Sequence, residues 1–144
     1  MLVLLVGFVA CHRSMGGPTP GAENSQAAVE QFLFAAKAQD LQAMSAVWGN
    51  EESLVRDRED RQQFERRLLI LTCHLRHDQS KIGPAQVGPN GRQLHRVELT
   101  QGDKTASPMF TTVRNAKNGR WFVEVFELEP LAPFCKGGMA PPVR

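Results

Sequence analysis

"GPNGRQLHRVELTQGDKTASPMFTTVRNAKNGRWFVEVFELE", residues 88–129, reads as strands punctuated by turns, and that reading decides the fold. Turn residues recur at Gly88-Pro89-Asn90-Gly91, Gly102-Asp103 and Asn118-Gly119, each between stretches of strand-like composition. With the residues just upstream they predict four strands, at about 77–87, 92–101, 106–114 and 120–129. Short consecutive loops join antiparallel neighbours, so these strands are expected to form a meander.

Before Leu75 the apolar period is that of a helix. Val29, Phe32, Leu33 and Ala36 fall at i, i+3, i+4 and i+7, with Asn24 or Ser25 available as the N-cap. Asp40 is expected to cap a second, short helix with Leu41, Met44, Val47 and Trp48 inward and Gly49 as its stop. A third helix is predicted to start between Leu54 and Arg58. Its apolar face would carry Phe64, Leu68, Leu71 and Leu75, and its charged residues would form a solvated face on which Asp57 and Arg61 pair at i,i+4. Helices first and strands afterwards argue an α+β domain, with the helices packed on one face of the sheet.

The chain has 144 residues, enough for one domain with a real core. Apolar residues make up 42% and charged residues 22%, as in an ordinary globular domain. A net charge of +2 is too mild for a nucleic-acid binder, so that class is set aside.

The opening "AVEQFLFAAKAQDLQAMSAVW" (28–48), a further helix, and four strands ending in "NGRWFVEVFELEPL" (118–131) together resemble the nuclear-transport-factor-like or ketosteroid-isomerase-like fold. The resemblance rests on Phe32-Leu33, Asp40-Leu41, Met44 and the aromatic Trp121 after Gly-Arg, and it covers roughly residues 25–130. It implies an α+β domain over 24–135, with N-terminal helices packed on a curved four-stranded antiparallel sheet that wraps them into a cone. It also implies a pocket in many members and frequent pairing of domains. Fold alone does not assign function, because this family hosts enzymes and binding modules alike.

Met1 to Ala10 holds nine apolar residues and one glycine and then stops at Cys11. That is too short for a bilayer span, which needs roughly 20 apolar residues, and suits a secretory signal. No Lys or Arg precedes Cys11, so a basic segment is expected upstream of Met1. Phe8-Val9-Ala10-Cys11 resembles the lipobox of bacterial lipoproteins. The resemblance implies cleavage before Cys11, a diacylglyceryl group on its sulfur and acylation of its new amine. Several acyl chains on one residue make a stable anchor where a single chain does not. Residues 11–23 are read as a flexible tether and 136–144 as a disordered tail. By analogy with the sorting rule of that family, His12 after the cysteine implies the outer membrane, on its periplasmic side, in a Gram-negative cell.

With Cys11 assigned to lipid, Cys73 and Cys135 remain as an even pair in an oxidising compartment. A bridge between them would close a loop of about 60 residues, for which chain entropy gives roughly 4 kcal/mol. The alternative is two separate buried thiols.

Chemistry is sparse. His95 shares a strand face with Val97 and Leu99, and Glu124 lies between Phe122 and Phe126 on another. A cone pocket is expected to be lined by Trp48, Phe64, His95, Met109, Trp121 and Glu124. His95 and Glu124 could serve there as an acid/base pair. The preferred reading makes His95 a hydrogen-bonded residue of the rim and pairs Glu124 with an arginine such as Arg96 or Arg114. Cys73-His74-x-x-His77 gathers three ligand types without the spacing of a known metal site, so no metal or other cofactor is assigned. Trp121, Val123 and Val125 would face one side of the last strand and Phe122, Phe126 and Leu128 the other. An apolar pattern on both faces predicts that the segment "LEPLAPFC" or a second subunit covers the outer one.

The expectation is therefore a membrane-anchored, exported, non-enzymatic domain. Its partners would be the membrane through Cys11, a second copy of itself or an envelope protein. The competing class is a lipid-anchored small-molecule carrier or an isomerase- or hydratase-like enzyme using the cone pocket.

Overall fold

The computed structural model describes residues 18–136. The expected signal peptide 1–10, the proposed lipid site Cys11, the tether up to residue 17 and the tail from residue 137 lie outside the described residues.

Helix α1 spans Ser25–Ala38 and starts where Asn24 accepts a bond from the Ala27 N–H at 2.8 Å. Its whole apolar period, Val29, Phe32, Leu33 and Ala36, is buried. Helix α2, Leu41–Ala46, is capped by Asp40, which accepts from the Ala43 N–H. It stops before Val47 and Trp48, because these two leave the helix to bind the sheet. The Val123 N–H donates to Val47 O at 2.9 Å, and the Gly49 N–H donates to Val123 O at 3.1 Å. Helix α3, Arg61–His74, begins later than the sequence suggests. Residues Val55–Asp57 form a 3-10 turn, and Asp60 then caps α3 by accepting from the N–H groups of Gln62 and Gln63. Arg61 consequently pairs with Glu65, at 2.8 Å, rather than with Asp57.

The sheet is antiparallel and has six strands rather than four. These are β1 (Gln79–Ile82), β2 (Gln86–Val87), β3 (Gln93–Gln101), β4 (Lys104–Ala106), β5 (Met109–Arg114) and β6 (Trp121–Phe126). Prolines make the difference. Pro84 and Pro108 lack the N–H that a ladder needs, so two of the expected strands each break in two. The nine-residue β3 then pairs with β1, β2, β4 and β5 along its length, and β6 joins the far side of β5.

The core lies between α1 and the sheet. Phe32, fully buried, meets Trp48, Phe110 and Phe126 at ring-centroid distances of 6.5, 6.4 and 5.7 Å. Phe110 and Phe126 stack on neighbouring strands at 4.9 Å. Cys73 and Cys135 are joined as a disulfide, with their Cα atoms 5.2 Å apart.

Two expectations about the last strand change. Thr111 pairs with Val125 and Thr112 with Val123, so Glu124 is an extra residue, a β-bulge. The alternation flips there. Val123 joins Phe126 in the core, while Phe122 packs elsewhere, with Gly21 and Gly49 close against its ring. The segment Glu129–Cys135 does not supply the expected cover for the outer face. It forms a 3-10 turn against α3 and β4, with Leu131 and Phe134 buried in the core, and Val125 stays 56% exposed.

Residues 20–23 also differ from a free tether. Ala22 is buried and bridges Trp121 through two backbone bonds of 2.9 Å, and the Gly21 N–H donates to Ala46 O at 2.8 Å. The domain therefore begins several residues before α1.

Candidate functional site

The six residues expected around a cone pocket are not gathered there. Trp48 and Phe64 stack at 5.8 Å and are both buried, Trp48 in the core and Phe64 also lining a groove between α2 and α3. Arg67 lies over Trp48, its guanidinium carbon 4.9 Å from the ring centroid, a cation–π contact. Trp121 is half-buried beside Ala22. Met109 lines a hollow of about 310 Å3 with Leu94, Thr111 and Val125, on the side of the sheet where β6 remains open.

His95 is fully buried in β3, and its partners are not Glu124. Its Nδ1 lies 3.2 Å from Gly83 O and its Nε2 lies 3.0 Å from Ser25 Oγ. Because a carbonyl oxygen can only accept, Nδ1 carries a proton. Ser25 Oγ also meets the side-chain oxygen of Gln93. The order serine, imidazole, carbonyl resembles that of an activated nucleophile, yet Ser25 Oγ directs its one proton to Gln93 rather than to His95, and Ser25 and His95 are only 6% and 0% exposed. A nucleophile needs room about 3 Å away for a reacting atom, and neither residue lines any of the hollows described for this domain. The cluster instead ties the first turn of α1 to β3. Neither Ser25 nor Gln93 was marked by sequence: Ser25 reads only as a helix cap and Gln93 only as the start of a strand.

The bulge residue Glu124 turns to Arg92, not to Arg96 or Arg114. Arg92 Nε and Nη2 donate to the two carboxylate oxygens at 2.5 and 2.6 Å. This two-point bond raises the Arg92 pKa above its already high ordinary value. Arg96 bonds Glu127 and the Ser107 carbonyl, and Arg114 donates to Gly119 O. Glu124 is directed at Arg92 while both ring nitrogens of His95 face Gly83 and Ser25, so the two side chains are not brought together as an acid/base pair.

Cys73-His74-x-x-His77 is likewise engaged. Cys73 is in the disulfide, His74 Nδ1 bonds Ile70 O and His77 Nδ1 bonds Leu75 O. Among the described residues no group of three or more His, Cys, Asp or Glu side chains could hold a metal ion. Among the same residues no helix is long and apolar enough to cross a membrane.

A groove of about 520 Å3 lies where α2, the Val55–Asp57 turn and α3 meet. Leu41, Phe64 and Leu68 form its apolar floor, and the exposed Leu69 extends it. Arg56, Asp57, Arg61 and Glu65 edge it. Arg56 donates to Ser45 Oγ at 3.1 Å, and the Glu65 carboxylate holds the Arg61 pKa above its ordinary value. Each positive group on this edge has a negative neighbour. The helix-face charge run seen in the sequence thus lies along an apolar trough. Periodicity marked Phe64 and Leu68 as core but not as a groove, since the α2–α3 separation is a tertiary property.

Comparison with protein-family models, with curated proteins and with solved structures finds no match for this chain.

Proposed function

We propose that this chain is an exported bacterial domain, anchored to a membrane by lipid on Cys11, that binds an amphipathic molecule or peptide segment without chemically transforming it. The groove between α2 and α3 carries this reading: an apolar floor of Leu41, Phe64 and Leu68 under an edge of paired charges suits a ligand with one greasy and one polar side. The constellations that could have performed catalysis are spent on one another, His95 with Ser25 and Gly83, Glu124 with Arg92. The anchoring part draws support from cysteine bookkeeping, because pairing Cys73 with Cys135 leaves Cys11 as the odd residue. The order of three helices followed by an antiparallel sheet, with Phe32 against Phe110 and Phe126, is compatible with the nuclear-transport-factor-like plan that the sequence resembles. In a Gram-negative cell the reading places the domain on the periplasmic side of the outer membrane.

The binding part is tested with 8-anilinonaphthalene-1-sulfonate, an apolar fluorophore bearing one anionic group, on the full chain carrying Cys11→Ser. Saturable emission that is weakened by Leu69→Asp, in a variant with unchanged thermal stability, is expected. Emission that is absent, or equal in both proteins, would contradict the groove as the binding site.

A further inference from the structure

Phe34 is 77% exposed on α1, an unusual position for a phenylalanine in a surface helix. It is not isolated. With Ala35, Ala43 and Val47 it lines a hollow of about 270 Å3 whose other wall is Pro18, Thr19 and Gly21. Among the described residues no charged side chain lines this hollow, in contrast to the groove between α2 and α3. Pro18 is also where the described chain starts. Seven peptide links separate it from Cys11, and seven extended residues reach no more than about 25 Å. Because Gly21 and Ala22 are fixed to the domain, that length cannot be drawn out from residues 20–23.

We infer that the uncharged hollow carrying Phe34 is the membrane-facing side of the domain, with the Phe34 ring resting in the interface of the lipid to which Cys11 is attached. The inference rests on the reading of Cys11 as the lipidated residue. An anchor so short holds the side bearing Pro18 toward the bilayer, and an aromatic ring there gains from the boundary between headgroups and acyl chains. Arg13, between the anchor and the domain, matches an anionic lipid surface. Other exposed apolar side chains, such as Val87 on β2 and Leu69 on α3, do not line this hollow and serve as internal controls.

The test uses the full chain produced in cells that acylate it, reconstituted in vesicles of phosphatidylethanolamine and phosphatidylglycerol. A photoreactive p-benzoylphenylalanine replaces Phe34 in one sample and Val87 in another, and adducts are identified by mass spectrometry alongside the acyl groups on Cys11. The expected result is several-fold more phospholipid adduct from position 34 than from position 87, lost on Cys11→Ser. Acylated protein with equal lipid adduct at both positions, or with position 34 coupled to residues 12–17 of its own chain or to another protein, overturns the inference and leaves the anchor standing. Protein without acyl groups on Cys11 overturns both.

Discussion

Arg120 reaches across the chain to Gly21, its Nε and Nη2 lying 3.1 and 2.7 Å from the Gly21 carbonyl oxygen. This fork, the Ala22–Trp121 bridge and the bond from Gly21 to Ala46 make the first described residues an added edge of the sheet. A glycine is required at that point. Gly21 has φ +89, and a Cβ there would lie 2.8 Å from Phe122 Cζ and 2.9 Å from Arg120 Cβ.

Gly21→Ala is therefore expected to destabilise the domain by about 1–3 kcal/mol, the usual cost of overpacking combined with a strained backbone. Urea denaturation measures it. The same change at Gly102 also meets positive φ but no neighbour within 4 Å, so it should cost less. Equal effects at the two positions would mean that residues 20–23 are not packed on the domain.

Phe32 is where helix and sheet meet, fully buried between Trp48, Phe110 and Phe126. Phe32→Ala should cost about 3–5 kcal/mol, a large part of the stability of a domain this size, whereas Phe32→Leu should cost less. Thermal unfolding followed by circular dichroism checks the order. A mild effect of Phe32→Ala would place the core elsewhere.

The disulfide closes a 62-residue separation and fastens the Glu129–Cys135 turn to α3. Removing it in the double variant Cys73→Ala/Cys135→Ala should cost about 4 kcal/mol on the chain-entropy account. Hydrogen exchange should rise first in residues 129–135, which carry the buried Leu131 and Phe134. Mass spectrometry of unreduced, folded protein should find neither Cys73 nor Cys135 open to alkylation.

Local signals read well and tertiary ones did not. Asn24 and Asp40 cap α1 and α2 as their side chains suggest, because capping depends only on residues two or three positions away. The face of α1 followed from spacing alone, since Val29, Phe32, Leu33 and Ala36 can share only one side of a helix. The broken strands were partly readable in Pro84 and Pro108. The bulge at Glu124 was not: Val-Glu-Val contains no glycine or proline, and the extra residue exists because Trp121 and Phe126 are each fixed to different partners on β5. Every face assignment in β6 depended on it, so the sequence could suggest an arginine partner for Glu124 but not that the partner is Arg92. Ser25 and His95 are separated by 70 residues and meet only once α1 lies on β3, so their contact could not be read from spacing.

The account depends most on Cys11. Cells expressing the full chain are fed an alkyne-bearing fatty acid, and the purified protein is examined for label with Cys11→Ser in parallel. The account predicts label on the wild-type chain, recovered with membranes, and none on the variant. An unlabelled wild-type protein, or one labelled equally with and without Cys11, would contradict it.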